Sequence, residues 1–161
     1  MRKINSRGED VYSSDVFEVL FKYELTRIKR NPAPLALLKI EITPTTTNEE
    51  TLAAAPTVFM TALNTHLRSV DIPSTAGKGF RVLLPSTDEA GTRIVCERLL
   101  SVFRSKFETK TGSVAFTLQI GATVHGPNPS LSMEDIFQKA DDALKQSRLK
   151  GPNTFIVIPN L

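Results

Sequence analysis

Arg68-Ser-Val-Asp-Ile-Pro-Ser-Thr-Ala-Gly-Lys-Gly-Phe-Arg-Val-Leu-Leu-Pro85 is the stretch whose reading decides the fold. At its centre lies Ala76-Gly77-Lys78-Gly79-Phe80, a short glycine-containing turn. Ile72 to Thr75 before it and Phe80 to Leu84 after it have the length and apolar content of short strands. Gly77 and Gly79 supply the backbone freedom that a tight hairpin needs. The segment therefore predicts two strands joined by a solvated turn. Gly77-Lys78-Gly79 also offers backbone donors and an ammonium to a phosphate, but no P-loop spacing surrounds it.

Reading toward the N-terminus, Glu49 to Val70 is mostly helical, with Val58, Phe59, Ala62, Leu63 and Leu67 on one side and Pro56 either breaking the helix or starting its main part. Thr43-Pro-Thr-Thr-Thr-Asn48 reads as a loop, and Leu35 to Ile42 as a buried strand. Asn31-Pro-Ala-Pro34 ends an earlier helix that Ser13 or Ser14 caps and that runs to about Arg30. Its apolar set is Val16, Val19, Leu20, Tyr23, Leu25 and Ile28. Residues 1–13 read as a linker or N-terminal extension, and residues 14–161 as one domain.

Toward the C-terminus, Pro85 to Glu89 opens a helix reaching about Phe107, with Thr87 as half of a capping box and Asp88 and Glu89 suited to the helix N-terminus. Val114 to Val124 is a strand. Met133 to Leu149 is a helix with Ile136, Phe137, Ala140, Ala143 and Leu144 on one face, ended by Gly151. Thr154 to Ile158 is a last strand. This order predicts an α/β (α+β) domain with one central sheet of about five strands flanked by helices.

Composition narrows the function. The chain has 161 residues, 40% of them hydrophobic and 23% charged, and a net charge of +3. No apolar run is long enough to cross a bilayer, and the polar start lacks a signal core, so a cytoplasmic protein without membrane insertion is expected. Cys96, His66 and His125 have no metal-ligand spacing, and no metal or cofactor is expected. Arg27, Lys29 and Arg30 end a helix, where cations complement its dipole, and no basic stripe interleaved with aromatics points to a nucleic-acid partner.

Five segments, in order, carry a family resemblance. They are Pro34-Leu-Ala-Leu-Leu-Lys-Ile-Glu-Ile42, Phe80-Arg-Val-Leu-Leu-Pro-Ser-Thr-Asp-Glu-Ala90 after the turn, Val114 to Gly121 with Leu118-Gln-Ile-Gly121, the helix Met133 to Leu144, and Lys150-Gly-Pro-Asn153. Together they resemble the GGDEF domain of diguanylate cyclases over about residues 15 to 158. The resemblance implies a nucleotide-cyclase-like fold with a mostly antiparallel sheet.

In that family two GTP molecules are joined into cyclic di-GMP. Acidic groups on the first strand and in the turn hold Mg²⁺, because a hard cation takes oxygen ligands. Glu41 matches the strand carboxylate with one methylene more. Lys78 and Gly79 stand at the two acidic positions of the turn, and Ala76 replaces its first glycine. Thr45 replaces an aromatic residue, Asn48 and Glu49 are the only polar remnants of guanine recognition, Arg148 matches a phosphate-contacting lysine, and Pro152 replaces an arginine. The resemblance thus implies a degenerate signature, Ala76-Gly77-Lys78-Gly79-Phe80, with no catalytic residues and no diguanylate cyclase activity.

The resemblance also implies a second nucleotide site, written Arg-x-x-Asp in the family. Arg68-Ser-Val-Asp71 matches it, and Arg98 matches its third member on the following helix, although the spacer from Asp71 to the turn is one residue short. An arginine fork suits guanine O6 and N7, and a carboxylate suits its N–H groups. The expected function is a cyclic di-GMP receptor using Arg68, Asp71 and Arg98. The alternatives are a nucleotide-independent module that binds a protein partner or forms a homodimer, and a residual cyclase or GTP-binding regulator.

Overall fold

A computed structural model describes residues 11–127 and 132–160. Among the described residues, four helices and six strands follow one another as α1 (Ser14–Arg30), β1 (Leu35–Thr45), α2 (Glu49–Thr65), β2 (Ile72–Ala76), β3 (Gly79–Pro85), α3 (Glu89–Val102), β4 (Phe107–Thr109), β5 (Gly112–His125), α4 (Met133–Lys150) and β6 (Thr154–Asn160). The strands run in the order β2-β3-β1-β5-β4, and β6 also pairs with β5. All pairings are antiparallel except that of β5 with β6.

β1 shows how the sheet divides the core. Its side chains alternate between faces, as pleating requires. Ala36, Leu38 and Ile40 join Ala55, Phe59 and Leu63 of α2 and Cys96 and Leu99 of α3 on one face. Leu35 and Leu37 meet Phe17, Phe21 and Ile28 of α1 and Ile136 and Ala140 of α4 on the other. The sheet is therefore buried on both faces, which is why β1 reads as a continuous apolar run. Gly121 lets α4 close on β5, since a Cβ there would lie 2.1 Å from the Leu144 backbone nitrogen.

Several details differ from the sequence expectation. α1 buries Phe17, Phe21 and Ile28, whereas Val19 and Tyr23 face outward. The larger rings win because Phe17 and Phe21 both pack on Phe137, at 6.3 and 5.5 Å between centroids. Thr43 to Thr45 continue β1 instead of forming a loop, pairing with Thr117, Phe116 and Ala115. β3 stops pairing at Ile40, so Pro44 sits on an open edge where its missing donor is tolerated.

α2 ends at Thr65 rather than near Val70, and Pro56 lies inside it without ending it. α3 begins after an Asp88 cap and ends at Val102, and Phe107 starts the extra strand β4. There Phe107 packs 5.3 Å from Phe103 and 5.7 Å from Phe116, which fastens the β4–β5 hairpin to the core.

Ahead of α1, Tyr12 is buried and bridges Ser74 in parallel fashion. Its backbone nitrogen donates to Pro73 O at 2.9 Å, and its carbonyl accepts from Thr75 N at 3.2 Å. Residues 1–10 of the expected extension lie outside the described residues. Among the described residues, no helix is long and apolar enough to cross a membrane.

Candidate functional site

The hairpin of β2 and β3 places the turn beside β1. Ala76 pairs with Gly79, and Phe80 pairs with Ile40. Gly77 adopts φ 58°, a left-handed conformation that glycine takes without a steric penalty. Gly79 is constrained by space: a Cβ would lie 2.2 Å from Ile40 O. Phe80 is buried against Phe59, with centroids 4.8 Å apart. The turn is thus held by strand pairing and an aromatic anchor.

Facing the turn is a cavity of about 260 Å³ lined by Lys39, Glu41, Lys78, Arg81 and Arg148 among others. Arg148 reaches from α4 to Glu41 on β1 with a bidentate pair, Nε to Oε1 at 3.0 Å and Nη2 to Oε2 at 2.6 Å. These hydrogen bonds hold the Glu41 carboxyl below the usual carboxylate range and raise the Arg148 guanidinium. Both side chains remain partly exposed, so solvent screens the pair. Lys39 pairs with Asp141 at 3.3 Å, and the Arg81 guanidinium lies 4.1 Å from the Phe137 ring centroid. Among the described residues, no three His, Cys, Asp or Glu side chains converge as metal ligands do.

Arg68 and Asp71 come together in the link between α2 and β2. The Asp71 side chain is 2% exposed, and the Arg68 side chain is 50% exposed. Asp71 accepts from Arg68 N at 2.8 Å, Nε at 3.1 Å and Nη2 at 2.7 Å. Arg68 Nη2 also donates to Pro85 O and Thr87 Oγ1, each at 2.9 Å. The carboxylate is therefore turned inward onto Arg68, where it fixes the guanidinium.

Arg98 projects from α3 and donates to His66 O at 3.2 Å, at the C-terminal cap of α2. Arg68 and Arg98 line one cavity of about 310 Å³ together with Thr87, Asp88 and Ile94. Arg68 also lines a neighbouring cavity of about 470 Å³ with Glu24, Arg27 and Val70. Val70 and Ile94 are 56% and 59% exposed. Arg68 thus stands between two recesses, each with an exposed aliphatic side chain.

Sequence reasoning missed the acceptors on Pro85 and Thr87, and the α1 residues Glu24 and Arg27. Their sole sequence signal is helical spacing, which pairs Glu24 with Arg27 on one face. Asn48 is taken up locally, since its Oδ1 caps α2 by accepting from Glu50 N at 2.8 Å and Thr51 N at 3.1 Å. Glu49 lies exposed in the first turn of α2, and Thr45 ends β1. Pro152 follows the cap of α4, with no backbone donor of its own.

The antiparallel sheet with a helix pair on each face, and a hairpin turn set against β1, define the class of nucleotide-cyclase-like α+β domains. The family model "Diguanylate cyclase, GGDEF domain" matches residues 57–154, more than half of the chain. The chain belongs to the GGDEF family.

Solved structures share the fold. The coiled coil and GGDEF domain of DgcB from Caulobacter crescentus, in complex with c-di-GMP, superposes with a TM-score of 0.79 at 14% identity, over 99% of this chain and 87% of that one. The GGDEF domain of PA1120 (YfiN or TpbB) from Pseudomonas aeruginosa gives a TM-score of 0.75 at 19% identity, over 94% and 98%. The diguanylate cyclase SiaD from Pseudomonas aeruginosa, in complex with its activator SiaC, gives 0.75 at 17% identity. This chain spans 59% of the SiaD chain, and 93% of its own length is covered. No curated protein matches it by sequence.

Proposed function

We propose that this GGDEF domain is catalytically inactive and acts in signalling as a cyclic di-GMP receptor. Inactivity rests on the face between the turn and β1. Mg²⁺ requires free carboxylate oxygens. Glu41 gives both of its oxygens to Arg148, and Lys78 brings a positive charge to the same cavity. At about 4 Å and an effective dielectric near 20, two like unit charges repel by about 4 kcal/mol. This donor set does not suit a divalent cation, and no residue of the turn replaces the missing carboxylates.

One observation carries the receptor reading. Asp71, 2% exposed, fixes Arg68 so that its half-exposed guanidinium borders the cavity that Arg98 also lines. Two guanidinium groups bordering one recess supply positive charge and N–H donors suited to the acceptors of guanine and the phosphates of a cyclic dinucleotide. Val70 and Ile94 offer apolar surface to purine faces. In this geometry Asp71 positions Arg68, while Arg68 and Arg98 meet the ligand. The protein is read as cytoplasmic, with cyclic di-GMP as its ligand.

Incubation with GTP and Mg²⁺, followed by chromatography of the products, tests inactivity: no cyclic di-GMP is expected, and its formation would refute that half of the reading. Calorimetric titration with cyclic di-GMP tests the receptor half. Absence of heat would favour the nucleotide-independent interaction module instead.

A further inference from the structure

The fold leaves the outer face of α1 uncovered, and this face has no role in the Arg68 site. Tyr23 is 68% exposed and Val19 46%. Asp15, Lys22, Thr26 and Arg30 are exposed on the same side, away from Phe17, Phe21 and Ile28. At 3.6 residues per turn, Asp15, Val19, Tyr23, Thr26 and Arg30 form one stripe along the whole helix. The stripe is acidic at its start, where Glu18 flanks Asp15, and basic at its end, where Lys29 flanks Arg30. Among the described residues, none of these four charges has an ion-pair partner.

We propose that this face is a self-association surface on which α1 of a second copy docks antiparallel, about a two-fold axis beside Lys22 and Tyr23. The charge order dictates the direction. A parallel pair sets Asp15 against Asp15 and Arg30 against Arg30. An antiparallel pair sets Asp15 against Arg30 and Glu18 near Lys29, and two-fold symmetry makes each contact twice. In that register Val19 lies opposite Thr26, and the two Tyr23 rings meet at the axis.

A helix of this length is about 25 Å long, and its contact falls short of the roughly 800 Å² per partner of a standard interface. The dimer is accordingly weak, reversible and sensitive to salt. Arg68 and Arg98 lie off this face, so the inference does not rest on nucleotide binding.

Sedimentation velocity of the full chain over a concentration series, at low and high salt, tests it. The expected result is a reversible dimer at high micromolar concentration and low salt that dissociates as salt is raised. Asp15→Lys and Arg30→Glu should each weaken association by about tenfold or more, and the double variant, which restores opposite charges across the axis, should recover it. Tyr23→Glu should also weaken it, with circular dichroism confirming that each variant is folded. A wild-type chain that stays monomeric at all concentrations overturns the proposal. So does a dimer indifferent to Tyr23→Glu and to both reversals, or a folded double variant that fails to recover association.

Discussion

At the scale of single residues, the Arg68–Asp71 clasp shows how one pair can serve both fold and site. Asp71 is a carboxylate 2% exposed, and such a group persists in the folded state when it is hydrogen-bonded. Arg68 supplies backbone and side-chain donors and ties the segment to Pro85 and Thr87 on the far side of the hairpin. Arg68→Ala leaves this carboxylate short of its donors, and a stability loss of about 1–3 kcal/mol in urea denaturation is expected. Arg98→Ala should leave the urea midpoint nearly unchanged, because Arg98 is exposed and makes a single contact to His66 O. Gly79→Ala forces a methyl group against Ile40 O, with an expected cost of about 1–3 kcal/mol by the same measurement.

At the scale of elements, the end of β5 contains a pH-sensitive contact. His125 is fully buried between Thr123, at 3.2 Å, and Asn160, at 3.4 Å. Burial pushes its imidazole from 6.5 down to about 4, and Lys139 pushes in the same direction. The unfolded chain therefore takes up this proton first as pH falls. The stabilisation is complete above about pH 6.5 and is lost as pH falls toward 4, by up to about 3 kcal/mol. Urea midpoints measured across that range should fall, and His125→Gln should remove that part of the decline. An equal decline in the variant would assign it to the carboxylates instead.

The elements legible in the sequence were those whose signal is local. Leu35 to Ile42 and the segment around Ala76-Gly77-Lys78-Gly79-Phe80 read correctly because their burial and turn chemistry lie within a few residues. The face of α1 did not, because Phe17 and Phe21 share helical spacing with Val16, Val19 and Tyr23, and Phe137 on a distant helix decides between them. Phe107 to Thr109 are too few residues to show a strand period, and only pairing with β5 reveals β4. At the site, the family resemblance picked out Arg68, Asp71 and Arg98. The inward turn of Asp71 was hidden, because the acceptors that help fix Arg68 lie 17 and 19 residues away in the chain.

At the scale of the molecule, the family fold is intact, and the proposed inactivity rests on the charge around its turn. Lys39, Lys78, Arg81 and Arg148 line the cavity against β1, and Glu41 is held by Arg148. The proposed ligand site lies apart from that cavity, at the link from α2 to β2 and across to α3, so the loss of one need not entail the loss of the other. In the proposed function this separated site still binds cyclic di-GMP. Isothermal titration of the wild-type chain and of Arg98→Ala, the variant that spares the buried clasp, tests it most directly. Micromolar binding by the wild type is expected, with a loss of about tenfold or more in Arg98→Ala at an unchanged melting temperature. Binding that is absent in the folded wild type, or equal in the two proteins, would contradict it.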